Sequence, residues 1–213
     1  MEKVMLIDGQ RPDVTGGAGT LDIRLAAQER LSLVLLVLPA GEEEVTLPIR
    51  VMMDGEGADF QLNALCICGK KEKVSVKVHL EHLVPGASSR QLIRCVAGGE
   101  SRVAFDGLIK VLPGAQRTEA FQTSNSLLLS ERAKVSTQPQ LEIYADDVKC
   151  SHGATTGTLD EDEQYYMRSR GITLEQARLL QLRSFVWPVL AAVSDEQLRA
   201  RLDDCVRQAL SRL

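Results

Sequence analysis

Aromatic side chains are scarce in this sequence: one Trp, three Tyr and four Phe make up 4% of its 213 residues. Enzymes that grip sugar chains usually need exposed aromatic platforms, so the scarcity counts against that class. Long apolar runs are missing too. None approaches the roughly 18 residues that would carry a helix across a bilayer, and Met1 to Gln10 mixes both charge signs where a secretory leader would be basic and then apolar. The expectation is a cytoplasmic protein with no membrane partner. Positive charge is not in excess: 25 Lys and Arg stand against 29 Asp and Glu, for a net charge of −4. Without a basic stripe to neutralise phosphates, no nucleic acid is expected as a partner. Cysteine is present at five positions, 66, 68, 95, 150 and 205, an odd count without a disulfide-framework spacing. Reduced thiols are expected. There is no G-x-x-x-x-G-K-[ST] loop, and the run Gly16-Gly17-Ala18-Gly19 lacks the lysine and the following helix, so ATP hydrolysis would belong to a separate subunit. No G-x-S-x-G nucleophile elbow occurs either.

What is there is alternation. From about Leu21 to Val148 apolar residues recur at every second position, the mark of strands with one buried face. Phe60, Leu62, Ala64, Cys66 and Cys68 form one row, Val74, Val76, Val78 and Leu80 a second, and Val103, Phe105, Ile109 and Val111 a third, with Gly107 filling the alternation. Gly55 and Gly57, Gly69, Pro85-Gly86, Gly98-Gly99 and Pro113-Gly114 punctuate them as chain reversals. Evenly spaced strands without intervening helices predict an all-β body: a sandwich, a barrel or a β-helix.

After Thr155 the period becomes helical. Three capping boxes predict three helix starts, at Thr158 with Glu161, Thr173 with Gln176, and Ser194 with Gln197. The first helix should end at Arg170, with Gly171 as its left-handed cap. The second carries an apolar stripe of Leu179, Leu182, Phe185, Val186 and Val189, with a kink or end expected near Trp187 because of Pro188. The third carries Leu198, Leu202, Cys205, Ala209 and Leu210. Such stripes can pack on each other, on the β body or on another protein.

Chemistry points to Cys150 and His152. Two residues apart on an extended segment, they share a face, and thiolate and imidazole are the side chains most used to hold zinc, iron and clusters. Two ligands fill half of a tetrahedral site, so the remainder must come from elsewhere, or else the pair is structural. Other candidates read as structural. Cys66 and Cys68 continue an apolar row. His79 and His82 fall on opposite strand faces and are expected to meet solvent or a turn. Asp146 and Asp147 diverge on a strand, and the acidic run Asp160 to Glu163 fits a helix first turn.

The segment Leu141 to Ile172, with ADDVKCSHGAT followed by YMRSRGI, closely resembles the signature of the SufB/SufD family of iron–sulfur cluster assembly proteins, in the SufD form. Asn125 to Ser130 and Pro139 with Leu141-Glu142-Ile143 extend the match. The resemblance implies a mainly β fold, a right-handed β-helix of stacked parallel rungs over residues 1–155, followed by a C-terminal helical region over 156–213. It implies a non-catalytic scaffold subunit that pairs with a SufB-type subunit and docks a SufC-type ABC ATPase through Leu179, Leu182, Phe185, Val186, Val189, Leu198 and Leu202. Cys150 and His152 would then serve a transient iron–sulfur cluster at the shared interface. A homodimer through the β-helix and a reduced flavin in the complex are further expectations. Two other readings stand beside this one: a carbohydrate-active β-helix enzyme, and a purely structural interaction module.

Overall fold

The computed structural model describes residues 1–7, 19–41 and 44–213. Gly16, Gly17 and Ala18 of the glycine-rich run lie outside the described residues. Eleven strands come first: β1 (Glu2–Ile7), β2 (Leu21–Leu25), β3 (Arg30–Val37), β4 (Glu44–Met53), β5 (Asp59–Cys68), β6 (Lys73–His82), β7 (Ser88–Ala97), β8 (Arg102–Val111), β9 (Thr118–Leu128), β10 (Lys134–Ile143) and β11 (Val148–Gly157). Odd-numbered strands form one parallel sheet in the order β1-β3-β5-β7-β9-β11, and even-numbered strands a second in the order β10-β8-β6-β4-β2. Each circuit of the chain therefore leaves one strand in each sheet, and the whole is a β-solenoid of about five turns. This is the β-helix that the resemblance implied. β11 runs on to Gly157, two residues past the expected end of the β body at 155.

The pleat sends alternate side chains into the space between the sheets, and the three rows read from the sequence are all there. Parallel pairing stacks them in register, so Leu31, Phe60, Ser89, Ala120 and Cys150 make one ladder, and Leu33, Leu62, Gln91, Gln122 and His152 the next. Burying each large apolar side chain contributes about 1.5–3 kcal/mol, and Phe60 and Phe105 are the largest fully buried residues.

The corners repeat as well. Register places Gln28, Gly57, Gly86 and Arg117 in one slot of four successive turns, and all four have positive φ, at 60°, 70°, 72° and 59°. Glycine takes that conformation without steric cost, whereas Gln28 and Arg117 are held in it by the stack. At Gly55 the backbone passes so close to Ala26 that any Cβ would overlap it.

Three helices follow: α1 (Glu161–Ser169), α2 (Leu174–Leu190) and α3 (Glu196–Leu210). They explain why Leu33 to Val37, most of β3, form an unbroken apolar run. Its outward residues Val34 and Leu36, with Leu65, Ile67 and Val96, are covered by Leu182, Val186, Val189, Leu202 and Val206 in a second core. The Thr173–Gln176 capping box is formed, and Gly171 takes φ +88° after α1. The other two caps differ from expectation. Asp160, not Thr158, accepts the Glu163 N–H, and Asp195, not Ser194, accepts those of Gln197 and Leu198. A carboxylate nearer the first turn outcompetes the hydroxyl, and the Ser194 hydroxyl donates instead to Glu2 of β1 at 2.6 Å. Pro188 sits in the last turn of α2, which ends at Leu190.

Two further expectations are corrected. His82 faces inward and is fully buried, its Nε2 sharing a hydrogen bond with Ser89 Oγ at 2.9 Å. It is the last inward position of β6, one step beyond Leu80, where the apolar row ends. Asp146 and Asp147 lie in the bend between β10 and β11, exposed, and not on a strand.

Candidate functional site

β10 and β11 make the last turn of the solenoid, and no further strand pairs with either among the described residues. Each inner strand has its inward row covered by the next turn, whereas the inward row of this turn is open. β10 has no fully buried residue, and Ile143 is 40% exposed.

Cys150 and His152 occupy that open row. Cys150 stacks on Ala120 and His152 on Gln122, two positions apart on one face of β11, as the spacing predicted. Their surroundings differ. Cys150 is half-buried and packs against the main core; burial pushes its thiol pKa up, and a hydrogen bond from the Ala120 backbone partly offsets this. His152 is exposed. A thiol backed by protein and an imidazole open to solvent can supply two soft or borderline ligands to something seated on the end of the solenoid. Among the described residues no group of three or more His, Cys, Asp or Glu is placed to hold a metal ion.

The other cysteines are not part of it. Cys66, Cys68 and Cys95 are buried, with Cys66 and Cys95 directly opposite on β5 and β7. A hydrogen bond between those two thiols, followed by burial, holds Cys66 well above the ordinary thiol range; burial does the same for Cys68. The Cys66 and Cys68 thiols are therefore protonated and inert. Cys205 packs half-buried against the second core.

Beneath His152 lies a feature that the sequence rows did not include. Gln91 and Gln122, both on the inward face and nearly fully buried, are joined by a hydrogen bond from Gln122 Nε2 to Gln91 Oε1 at 3.0 Å. Gly107 on the opposite sheet makes room, because a Cβ there would collide with the Gln122 amide and come within 2.6 Å of the Phe105 ring. The signal was a polar residue at an inward slot of β7 and β9, visible only once register is known.

Of the stripe residues expected to meet a partner, Leu182, Val186, Val189 and Leu202 are buried against the solenoid, and Phe185 and Leu198 are partly buried beside them. Packing on this chain's own sheet occupies that face. Leu179 is 40% exposed, and Leu180 and Trp187 on the same helix are 47% and 49% exposed.

Residues 18–185 match the family model described as "SUF system FeS cluster assembly, SufBD core domain". The chain belongs to the SufBD family. It is 39% identical over 150 residues to the iron–sulfur cluster assembly protein SufD of Escherichia coli, an alignment covering 70% of this chain and 36% of that protein. It is 40% identical over 165 residues to the chloroplastic protein ABCI7 of Arabidopsis thaliana, covering 76% of this chain and 34% of that one. A SufBD family protein of Synechocystis is 39% identical over 122 residues, covering 57% and 27%. The chain thus spans about a third of the length of the first two relatives. The matched family is one of iron–sulfur cluster assembly, and no described helix is long and apolar enough to cross a membrane.

Proposed function

We propose that this chain acts as a SufD-type scaffold subunit, pairing through the open end of its solenoid with a SufB-type subunit and lending Cys150 and His152 to a cluster assembled between them. The observation that carries this reading is the placement of both residues on the inward row of the last turn, which no further strand covers among the described residues. An open parallel edge has unpaired backbone N–H and C=O groups that a partner strand can complete, which would also bury the exposed row. Pairing of two copies of this chain by the same edge is the homodimeric form of the idea.

In this reading the cluster is cargo, transient and shared, and the chain supplies ligands and position but no catalysis of its own. Cys150 must lose its proton to bind iron, and a neighbouring cation or metal would lower the thiol pKa that burial raises. The SufC-type ATPase would dock on the exposed side of the helical region, around Leu179, Leu180 and Trp187, since the rest of the stripe is used internally. Residues 1–155 and 156–213 would thereby divide the work between cluster and ATPase. A reduced flavin would belong to the complex, and the setting would be cytoplasmic.

The test is to co-express the chain with SufB-type and SufC-type partners from its own source. Iron and acid-labile sulfide are then measured anaerobically for the wild type, Cys150→Ala and His152→Ala. Complexes that form in all cases, with cluster lost only in the variants, support the shared site. Unchanged cluster in both variants reduces the pair to structural residues.

A further inference from the structure

A second concave site lies on the outer face of the odd-numbered sheet, away from the Cys150 and His152 row. It is a groove of about 360 Å³ crossing β5, β7 and β9. Register arranges its floor in rows. Gln61, Arg90 and Phe121 form one, Asn63, Leu92 and Thr123 the next, and Arg94 with Asn125 the last, where the α2 residue Phe185 stands beside it.

In a chain of net charge −4, none of the side chains lining this groove is a carboxylate. The two guanidinium groups are not equivalent. Arg90 is already engaged, 3.7 Å from Glu119 and stacked 5.6 Å from the Phe121 ring centroid. Arg94 has no carboxylate within ion-pair distance among the described residues. It donates from Nη1 to the Phe185 carbonyl at 2.7 Å and lies 4.7 Å from that ring, while its Nε is buried without a partner. Burial lowers the Arg94 pKa from the ordinary arginine range, which expresses the same deficit: a half-buried cation that lacks a counter-anion. The neighbouring Asn125 amide donates to Thr155, and Asn63 and Thr123 line the space between Arg94 and Phe121. Leu92 in the middle row is an apolar floor.

A guanidinium at one end, amide and hydroxyl groups beside it, and an apolar floor running to an aromatic ring match a ligand with a charged head and a flat body. We propose that this groove binds a small organic anion whose oxyanion head, phosphate or carboxylate, pairs with Arg94 while its flat apolar body lies over Leu92 toward Phe121. This goes beyond the cluster reading and does not depend on it, since no residue of the open row lines the groove.

Titration of the full chain with phenyl phosphate, benzoate and inorganic phosphate tests it, followed by calorimetry and by the ¹⁵N signal of the Arg94 Nε–H. The expected result is saturable millimolar binding of an aryl anion, with the Arg94 signal shifting and inorganic phosphate binding more weakly. Preference for phenyl phosphate or for benzoate names the head; either supports the groove. Arg94→Gln should weaken binding at least about tenfold, the scale of one lost charge-assisted contact. Because Arg94 also braces α2, a second variant, Thr123→Phe, fills the groove from an exposed position and should abolish binding with the helix contact intact. Cys150→Ala should leave it unchanged. No saturable binding of any probe, or undiminished affinity in either groove variant, overturns the proposal.

Discussion

The inner turns and the last turn of the solenoid are built on the same ladders and do opposite things with them. In β3 and β5 the inward positions are Leu31, Leu33, Phe60 and Leu62, all buried and apolar, with turns on both sides. Two turns later the same ladders hold Ala120 and Gln122, and at the open end Cys150 and His152. The fold supplies identical backbone geometry throughout, so the difference lies in the side chains and in the missing neighbour. A slot covered on both sides is for stability; the same slot uncovered is available for chemistry.

The sharpest way to break this comparison is to truncate the same ladder at two heights. Phe60→Ala should destabilise the chain by about 3–5 kcal/mol through the cavity it leaves. Cys150→Ala, on the same ladder, should cost about 1 kcal/mol or less. Urea unfolding of both variants checks the contrast, and near-equal losses would mean that the end turn is as tightly packed as the middle.

A pH series probes the covered interior next. Burial pushes the His82 pKa from 6.5 down to about 4, so the folded protein holds this ring neutral. Above pH 6.5 neither state carries the extra proton and stability is unaffected. As pH falls from 6.5 toward 4 the unfolded chain takes up a proton that the folded chain refuses. Stability should therefore drop by about 3 kcal/mol over that window. His82→Gln should flatten that part of the profile; an unchanged slope would assign the acid sensitivity to other groups.

Gly107→Ala should cost less than Phe60→Ala, about 1–3 kcal/mol, because the added methyl meets a side-chain amide and a ring edge that can shift partway. Pairing it with Gln122→Ala, which vacates the space, should recover part of the loss in a double-mutant cycle.

The rows of β5, β6 and β8 could be read from the chain because alternation survives wherever one face is uniformly apolar. His82, Gln91 and Gln122 could not, since a polar residue at an inward slot looks like an interruption until the neighbouring strand is known. The helix caps were misplaced by one or two residues for a local reason: Asp160 and Asp195 stand two residues and one residue after the hydroxyls that the capping pattern favoured. The Cys150 and His152 pair was legible as a shared face from its spacing alone. That this face is uncovered followed from register and strand order, which periodicity does not encode. The apolar stripe of α2 was legible, but its destination was not, because an amphipathic helix looks the same whether it covers its own sheet or another protein.

The slot shared by Gln28, Gly57, Gly86 and Arg117 makes the chain countable in whole circuits. Excising Ala58 to Gly86 would join Gly57 to Ala87 with every remaining inward row still in line, shortening the molecule by one strand spacing, about 4.8 Å, without reassigning a single face. A single-residue deletion inside a strand would instead turn every following side chain of that strand to the opposite face. Length in such a protein changes cheaply only in units of a full circuit, as a screw shortens by threads.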